Sequence, residues 1–290
     1  MNRLERLTIA LVVGAAVSMG WSLYTATMHG PPGQGRRPLP PQATPTPAPP
    51  PVVAEPQRPP PAPAAPFLPD LPPVVVDIPE RTGIVTGTAF AVDSTGTWLT
   101  ARHVAGQCGE IGVQTPGGWV RATAHYLHPQ ADLAVLKTVG GPPALTRATQ
   151  PLQPGQDGFS FGFPEGNPGA VHGTLMGRSR MRLSDHMNGI AAVTTWAEQR
   201  RLPETLDTLG GLSGGPLLDS DGEVIGIIVA ASTRRGRVMA IAPETIEELA
   251  FAHVIPDPNP LGRFGISADR LDQIGSALRE RLMVVKVLCR

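Results

Sequence analysis

From Ile84 onward the sequence consists of short runs rich in Val, Ile, Thr and Phe, broken every several residues by glycine or by turn-forming pairs. Such runs predict β-strands, because β-branched and aromatic side chains favour extended backbone and glycine or turn pairs end it. The runs span Thr86 to Val92, Thr97 to Thr100, Trp119 to Leu127, Ala131 to Thr138, Gly158 to Phe163, Ala191 to Trp196, Val224 to Ala230 and Arg237 to Ile241. Since no long helical period separates them, the pattern favours all-β barrels over a parallel α/β sheet.

Two helical patterns follow the strand-rich region. The first runs from Pro243 to His253, and the second follows Ser267 as a helix N-cap. The second places four apolar residues on one stripe, namely Leu271, Ile274, Leu278 and Leu282. We therefore expect residues 74–255 to form the folded domain and residues 256–290 to form a helical tail docked on it, with a strand-like end.

The N-terminal region has a different character. The segment from Leu7 to Met28 carries no charged residue and is long enough to cross a bilayer as a helix. It predicts a single-pass membrane anchor, with residues 1–6 in the cytoplasm and the folded domain on the extracytoplasmic, periplasmic side. A cleaved signal peptide is the competing interpretation, because Arg3 and Arg6 precede the apolar run.

Residues 29–73 predict a disordered, proline-rich linker. The stretch from Gly30 to Pro73 contains 19 of the 34 prolines and almost no large apolar side chains. Such a segment cannot bury a core, and proline favours extended polyproline II backbone. The linker could therefore hold a domain well away from a membrane.

Composition excludes one class of partner. The chain has 290 residues and a formal net charge of zero, so it has no excess basic charge with which to hold a polyphosphate. Nucleic acid is therefore not expected as a partner.

Three segments of the folded region carry residues suited to nucleophilic catalysis: His103, Asp132 and Ser213. A serine hydroxyl attacks only when a base removes its proton, and a carboxylate must hold that base in the correct tautomer. The order of the three residues matters, because Gly211 to Gly215 also fits the G-x-S-x-G turn of α/β-hydrolases. That fold needs its histidine after the serine, and only His253, within a predicted helix, lies there. The chain order His, Asp, Ser is instead that of the double-barrel enzymes.

Four segments in the same order resemble trypsin-like serine peptidases of the HtrA/Deg group. They are Gly87-Thr-Ala-Phe90, Thr100-Ala-Arg-His103-Val104, Asp132-Leu-Ala-Val-Leu-Lys137 and Gly211-Leu-Ser213-Gly-Gly-Pro216. The resemblance implies two six-stranded antiparallel β-barrels of the chymotrypsin type, with the site in the cleft between them. It also implies that the backbone N–H groups of Gly211 and Ser213 form an oxyanion hole.

The same resemblance points to residues that would contact substrate. An extended substrate would pair with a sheet edge near Ile227 to Ser232, so Ile227 and Val229 are candidate binding residues, as is Leu209. Asp207 lies six residues before Ser213, where trypsins place the carboxylate that pairs with a basic substrate side chain. A solvated loop aspartate that balances Arg200 and Arg201 is the alternative for Asp207.

The tail and the two cysteines complete the interpretation. Leu261 to Ile266 and Met283 to Leu288 faintly resemble the opening of a PDZ domain, but we expect no complete one. Cys108 and Cys289 are the only cysteines, and an extracytoplasmic domain would permit a disulfide between them.

The sequence thus predicts a membrane-tethered serine endopeptidase that acts on protein or peptide substrates and needs neither a metal nor an organic cofactor. The oligomeric state is left open. The alternative is a non-catalytic, peptidase-like module that binds exposed peptides.

Overall fold

A computed structural model describes residues 74–76, 83–183, 189–253 and 261–290. The predicted membrane anchor at residues 7–28 and the predicted linker at residues 29–73 lie outside the described residues. The first described residues, 74–76, follow the linker directly. No helix within the described ranges is long and apolar enough to span a membrane.

The described residues form thirteen strands and three α-helices. The strands are β1 (Val74–Val76), β2 (Val85–Ala91), β3 (Thr97–Thr100), β4 (Ile111–Thr115), β5 (Gly118–Leu127), β6 (Ala134–Lys137), β7 (Asp157–Gly162), β8 (Gly169–Leu183), β9 (Ile190–Leu202), β10 (Pro216–Leu218), β11 (Val224–Ser232), β12 (Arg237–Ile241) and β13 (Val284–Cys289). The helices are α1 (Arg102–Ala105), α2 (Pro243–His253) and α3 (Leu271–Glu280), and short 3-10 turns lie at Pro164–Gly166, Thr233–Arg235 and Ala268–Arg270.

The strands close into two six-stranded antiparallel barrels, which confirms the double-barrel part of the predicted fold class. The first barrel has the order β13-β2-β3-β6-β5-β4, and β4 pairs with β13 to close it. The second has the order β8-β7-β10-β11-β12-β9, and β9 pairs with β8. Outside the second barrel, the short β1 adds a parallel pairing to the end of β8.

The tail at residues 256–290 ends in the expected strand, but this strand is an integral part of the first barrel and not a segment docked on a domain that ends at residue 255. β13 pairs with β2 from Val284 opposite Phe90 to Cys289 opposite Val85, and it pairs with β4 on its other side. Val284, Val285 and Val287 are fully buried. The six-residue run of mostly apolar side chains thus completes a barrel whose other five strands lie more than 140 residues earlier.

The second barrel also differs from its prediction. β8 and β9 are long strands that pair along most of their lengths, from Ala170 opposite Leu202 to Arg182 opposite Ile190. β8 carries Gly173 and Gly177 at or beside two register shifts, where glycine accommodates the irregular backbone. β9 extends to Leu202, six residues beyond the predicted end of this strand at Trp196.

Two aspartates hold equivalent turns in the two barrels. In the first, the Asp93 carboxylate accepts the N–H groups of Thr95 (2.9 Å) and Thr97 (3.0 Å). In the second, the Asp219 carboxylate accepts those of Asp221 and Glu223, both at 2.9 Å. Each side chain satisfies backbone donors that the reversal of the chain would leave unpaired.

Candidate active site

His103 and Asp132 form a buried, directly bonded pair on the first barrel. His103 lies in α1, immediately after β3, and Asp132 lies in the loop before β6. Their side chains are 7% and 0% exposed, and the His103 Nδ1 to Asp132 Oδ2 distance is 2.6 Å. The other carboxylate oxygen accepts the backbone N–H of His103 at 2.8 Å. Because a carboxylate only accepts, Nδ1 carries the proton and Nε2 is left unprotonated and able to accept one.

The loop around Asp132 is held by a residue that the sequence did not single out. The ring Nδ1 of His128 accepts the N–H of Ala131 at 2.8 Å and that of Gln130 at 3.2 Å. Burial lowers the pKa of His128, which favours the neutral ring that can accept these bonds. His128 therefore fixes the turn immediately before Asp132.

Ser213 lies in a tight turn of the second barrel that packs against the first barrel. Its carbonyl oxygen accepts the N–H of Thr88, in β2, at 2.9 Å. Gly214 has φ +86°, and a Cβ there would lie 2.1 Å from the Thr88 carbonyl oxygen and 2.8 Å from the nitrogen of Ala101. Only glycine fits, so the turn approaches the segment that leads into His103. Within the described part of the chain, the Ser213 hydroxyl makes no hydrogen bond.

The amide groups of Gly211 and Ser213 are both oriented by the carbonyls of their own peptide planes. The Gly210 carbonyl oxygen accepts the N–H of Glu165 at 2.6 Å, and the Leu212 carbonyl oxygen accepts that of Gly215 at 2.9 Å. In a trans peptide the N–H points away from the C=O, so each N–H is turned to the opposite side of its plane. Neither N–H has a hydrogen-bond partner among the described residues. The N–H of Ser213 and the N–H two residues before it are therefore unpaired backbone donors of the kind that an oxyanion hole uses.

Thr88 links these parts and was missed as a functional residue. Its buried hydroxyl donates to the Gly211 carbonyl oxygen at 2.7 Å and accepts the N–H of Phe163 at 3.1 Å. Its own carbonyl oxygen accepts the Thr100 hydroxyl at 2.6 Å. The threonine of Gly87-Thr-Ala-Phe90 thus joins the first barrel to the loop that carries Gly211.

Two predicted binding residues belong to the core and correct the expectation. The Leu209 side chain is 3% exposed and packs in the apolar cluster of the second barrel, so it does not line an open subsite. Ile227 is fully buried, and it pairs with Pro216 on one side and Ile241 on the other. At this position β11 therefore has a neighbouring strand on both sides and no free edge.

The free edge of β11 begins two residues later than Ile227. The N–H and C=O of Ile228 bond to Gly215 and Gly214. From Ala230 to Ser232 the strand pairs with β12 alone among the described strands. The side chain of Val229, at the start of this edge, is buried, so only its backbone could meet a ligand.

Asp207 is exposed, and its backbone N–H donates to the Glu165 carboxylate at 3.1 Å. The nearby arginines have other partners, because Arg201 pairs with Glu198 and Arg200 lies 3.9 Å from Glu204. Asp207 is therefore a solvent-exposed aspartate, as the alternative predicts, although those two arginines have carboxylate partners other than Asp207.

Cys108 and Cys289 are joined by a disulfide, with Cα atoms 5.2 Å apart. Cys108 follows α1, which carries His103, and Cys289 ends β13. The bond therefore ties the last strand of the first barrel to the loop after the candidate base. Among the described residues, no three His, Cys, Asp or Glu side chains are grouped for a metal ion.

A double barrel with a His–Asp pair on one half and a glycine-flanked serine on the other defines the trypsin-like class of folds. Residues 87–227 match the family model of the trypsin-like peptidase domain. This part of the chain is a trypsin-like peptidase domain, and it is homologous to HtrA- and DegP-type serine proteases.

Two curated relatives illustrate the homology. The chain is 31% identical over 173 residues to a probable periplasmic serine endoprotease, DegP-like, of Chlamydia muridarum, covering 56% of this chain and 32% of that protein. It is 28% identical over 156 residues to the serine protease Rv3671c of Mycobacterium tuberculosis, covering 53% and 38%. The chain thus spans about a third of the length of these relatives. A crystal structure of the Rv3671c protease in an inactive form is 25% identical, with a TM-score of 0.49, and the match covers 58% of this chain and 85% of that one.

Proposed function

We propose that this chain is a serine endopeptidase that uses His103, Asp132 and Ser213. The observation that carries the proposal is the buried His103–Asp132 pair, with a ring Nδ1 to carboxylate distance of 2.6 Å, on a barrel against which the Ser213 turn is packed. The homology of residues 87–227 to serine proteases supports the same conclusion.

The reaction begins when Nε2 of His103 accepts the Ser213 proton as the hydroxyl attacks the substrate carbonyl carbon. The negative charge that forms on the carbonyl oxygen is stabilised by the free N–H groups of Gly211 and Ser213. Protonated His103, held by the Asp132 carboxylate, then gives its proton to the leaving amine. Water, deprotonated in turn by His103, hydrolyses the acyl-enzyme and restores the serine.

The substrate would bind as an added strand on the free edge of β11, from Val229 to Ser232. This edge begins beside Gly214, whose N–H donates to the Ile228 carbonyl oxygen at 2.7 Å. Backbone hydrogen bonds along an edge accept many sequences, and side-chain pockets then select among them.

Asp207 is the residue that would select a basic substrate side chain, since its carboxylate is exposed six residues before Ser213. Cleavage of a peptide library after Arg or Lys, lost in Asp207→Asn, is the expected result. Equal cleavage after Arg, Val and Ala by the unaltered protein would remove Asp207 from the substrate-binding residues.

We also propose that residues 7–28 anchor the enzyme in the membrane and that residues 29–73 hold it on the extracytoplasmic side. The uncharged apolar run and the proline content support this arrangement. The Chlamydia relative is named as periplasmic, which agrees with that compartment. Membrane fractionation of full-length protein, compared with a variant lacking residues 7–28, tests the anchor.

The test of catalysis is labelling of the full-length protein with a fluorophosphonate, which reacts with an activated serine. The unaltered protein should be labelled and Ser213→Ala should not. A well-folded, unlabelled protein that still binds unfolded peptides would instead support the peptide-binding module.

A further inference from the structure

The turn between β7 and β8 contains a residue in an uncommon conformation. Glu165 has φ 51° and ψ 24°, in the left-handed region that residues other than glycine rarely adopt. Only Glu165 and Leu282 have positive φ among the non-glycine residues that the structure describes. A conformation of this kind costs about 1–3 kcal/mol and is often kept where it serves a site.

The left-handed conformation directs both the backbone and the side chain of Glu165 at one loop. Its N–H donates to the Gly210 carbonyl oxygen at 2.6 Å. Its carboxylate oxygen Oε1 accepts the N–H groups of Asp207 (3.1 Å) and Thr208 (2.9 Å). The Thr208 hydroxyl in turn accepts the N–H of Gly210 at 3.1 Å. One residue therefore holds the loop before Ser213 at three points.

This loop needs holding because it ends in two consecutive glycines. The peptide that joins Gly210 to Gly211 has no side chain on either flank, so rotation of its plane is weakly opposed. Rotation would point the Gly210 carbonyl oxygen, instead of the Gly211 N–H, at the substrate carbonyl. The bond from Glu165 to the Gly210 carbonyl oxygen opposes that rotation.

The turn that carries Glu165 is itself fixed from the first barrel. The Phe163 N–H donates to the Thr88 hydroxyl at 3.1 Å, and Lys286 of β13 donates to the Gly166 carbonyl oxygen at 3.0 Å. The turn therefore has a fixed position from which Glu165 can restrain a neighbouring loop.

We propose that Glu165 is a positioning residue that keeps the Gly211 N–H aimed into the oxyanion hole, and that the acceptor oxygen of its side chain is required for this. The inference rests on the proposed serine peptidase function. It assigns to the β7–β8 turn a part in the reaction, although Glu165 itself touches neither substrate nor reacting atoms.

The test uses full-length protein and three substitutions: Glu165→Ala, Glu165→Gln and Glu165→Gly. Gln keeps an acceptor oxygen, whereas Gly accepts the left-handed backbone and loses only the side chain. Glu247→Ala is the matched control, because Glu247 is an exposed glutamate on α2 that lies 3.6 Å from Arg147. The readouts are the second-order rate constant for fluorophosphonate labelling, kcat and KM for a library peptide, and the melting temperature.

Loss of one oxyanion-hole donor lowers kcat by about 10²–10³-fold, so a donor that points in the wrong direction should lower kcat by a smaller factor. Glu165→Ala and Glu165→Gly should both lose about 10- to 100-fold in labelling rate and kcat, with KM within about threefold. Glu165→Gln should stay within about tenfold of the unaltered protein, since it keeps the acceptor without its charge. The control should match the unaltered protein.

Each other outcome overturns the proposal. If Glu165→Ala and the unaltered protein are labelled at the same rate, Glu165 does not position the oxyanion hole. A loss in Glu165→Ala that is absent from Glu165→Gly shows that backbone conformation, and not the carboxylate, is responsible. A rise in KM without a fall in kcat assigns Glu165 to substrate binding. If the unaltered protein is not labelled at all, the proposed peptidase function fails first, and separately.

Discussion

The two barrels hold their parts of the candidate active site by different means. The first positions side chains, with the His103–Asp132 pair buried and bonded through both carboxylate oxygens. The second positions backbone, because the Gly211 and Ser213 amides are oriented through carbonyls bonded to Glu165 and Gly215. The geometry of the His–Asp pair is kept through small loop movements as long as the two side chains stay hydrogen-bonded. The direction of an unpaired N–H, in contrast, changes with every rotation of its peptide plane. The second half of the site should therefore depend more on neighbouring turns.

The largest expected effect breaks the side-chain half. Asp132→Asn removes the carboxylate that fixes the His103 tautomer, so kcat should fall by about 10⁴-fold with little change in KM. The matched control is Asp157→Asn, because Asp157 is an exposed aspartate that forms a second His–Asp pair, with its carboxylate 2.8 Å from Nε2 of His172. The kcat for peptide hydrolysis is measured for both variants. An equal loss of kcat in the two would show that general damage to the fold, and not loss of the His103–Asp132 interaction, is responsible.

The next effect is on the stability of the first barrel. The Cys108–Cys289 disulfide closes a loop with a sequence separation of 181 residues, and its removal should lower the free energy of unfolding by about 2–5 kcal/mol. Denaturant unfolding of Cys108→Ser, Cys289→Ser and the double variant measures this loss. The three variants should be equally destabilised, since each lacks the same bond. An unchanged unfolding midpoint would mean that the barrel holds β13 without the bond.

A smaller effect tests how the first barrel supports the backbone half. Thr88→Val keeps the shape of the side chain but leaves the buried Gly211 carbonyl oxygen and the part-buried Phe163 N–H without this partner. Each lost partner costs about 1–3 kcal/mol and loosens the loop that orients the Gly211 N–H, so kcat/KM should fall about 10- to 100-fold. Thr88→Ser keeps the hydroxyl and should restore most of the activity. Loss of activity in both variants to the same extent would contradict the role of the hydroxyl.

The smallest effect compares the two aspartate turns through pH. Burial opposes ionisation of Asp93, but hydrogen bonds from Thr97 and Thr95 hold its pKa below the ordinary value of 3.8. Burial, and then the neighbouring carboxylates Glu223 and Asp221, raise the pKa of Asp219 above that value, against the hydrogen bonds it accepts.

The two shifts have opposite consequences. The stabilisation by Asp93 is full above the unfolded-state pKa and is lost as the pH falls through the lower folded pKa. The contribution of Asp219 is favourable below the unfolded-state pKa and is lost as the pH rises through the higher folded pKa. The destabilisation caused by Asp93→Asn, measured by denaturant unfolding, should therefore shrink below about pH 4, and Asp219→Asn should be tolerated better at pH 7 than at pH 4. The same pH trend in both variants would contradict the comparison.

Local sequence was sufficient where side-chain type and turn signals agreed. Thr97 to Thr100 and Arg237 to Ile241 are strands with the predicted limits, and Pro243 to His253 is the predicted helix. β8 escaped prediction because its glycines at 169, 173 and 177 interrupt the run of strand-forming residues, although its arginines at 178, 180 and 182 alternate as in a strand. It forms because β7 and β9 supply its hydrogen bonds on both sides.

The candidate site divides in the same way. The sequence singled out His103, Asp132 and Ser213, because those residue types in that order suit one kind of chemistry, and it proposed the pairing of Cys108 with Cys289. It did not reveal Thr88, His128 or Glu165, whose importance comes from contacts with residues that are distant along the chain. Leu209 and Ile227 were predicted to bind substrate. The sequence alone cannot distinguish an apolar residue that lines a pocket near the serine from one that is buried in the core.

By itself the sequence determined the residue chemistry and the strand-rich class of fold, since both depend on residue type and short-range spacing. Only the tertiary structure decided that the last strand closes the first barrel, and which turn orients the Gly210–Gly211 peptide. The physical reason is that hydrogen bonds between backbone groups are nearly independent of side-chain identity. Which strand completes a barrel, and which N–H holds a given carbonyl, is therefore settled by how the whole chain packs.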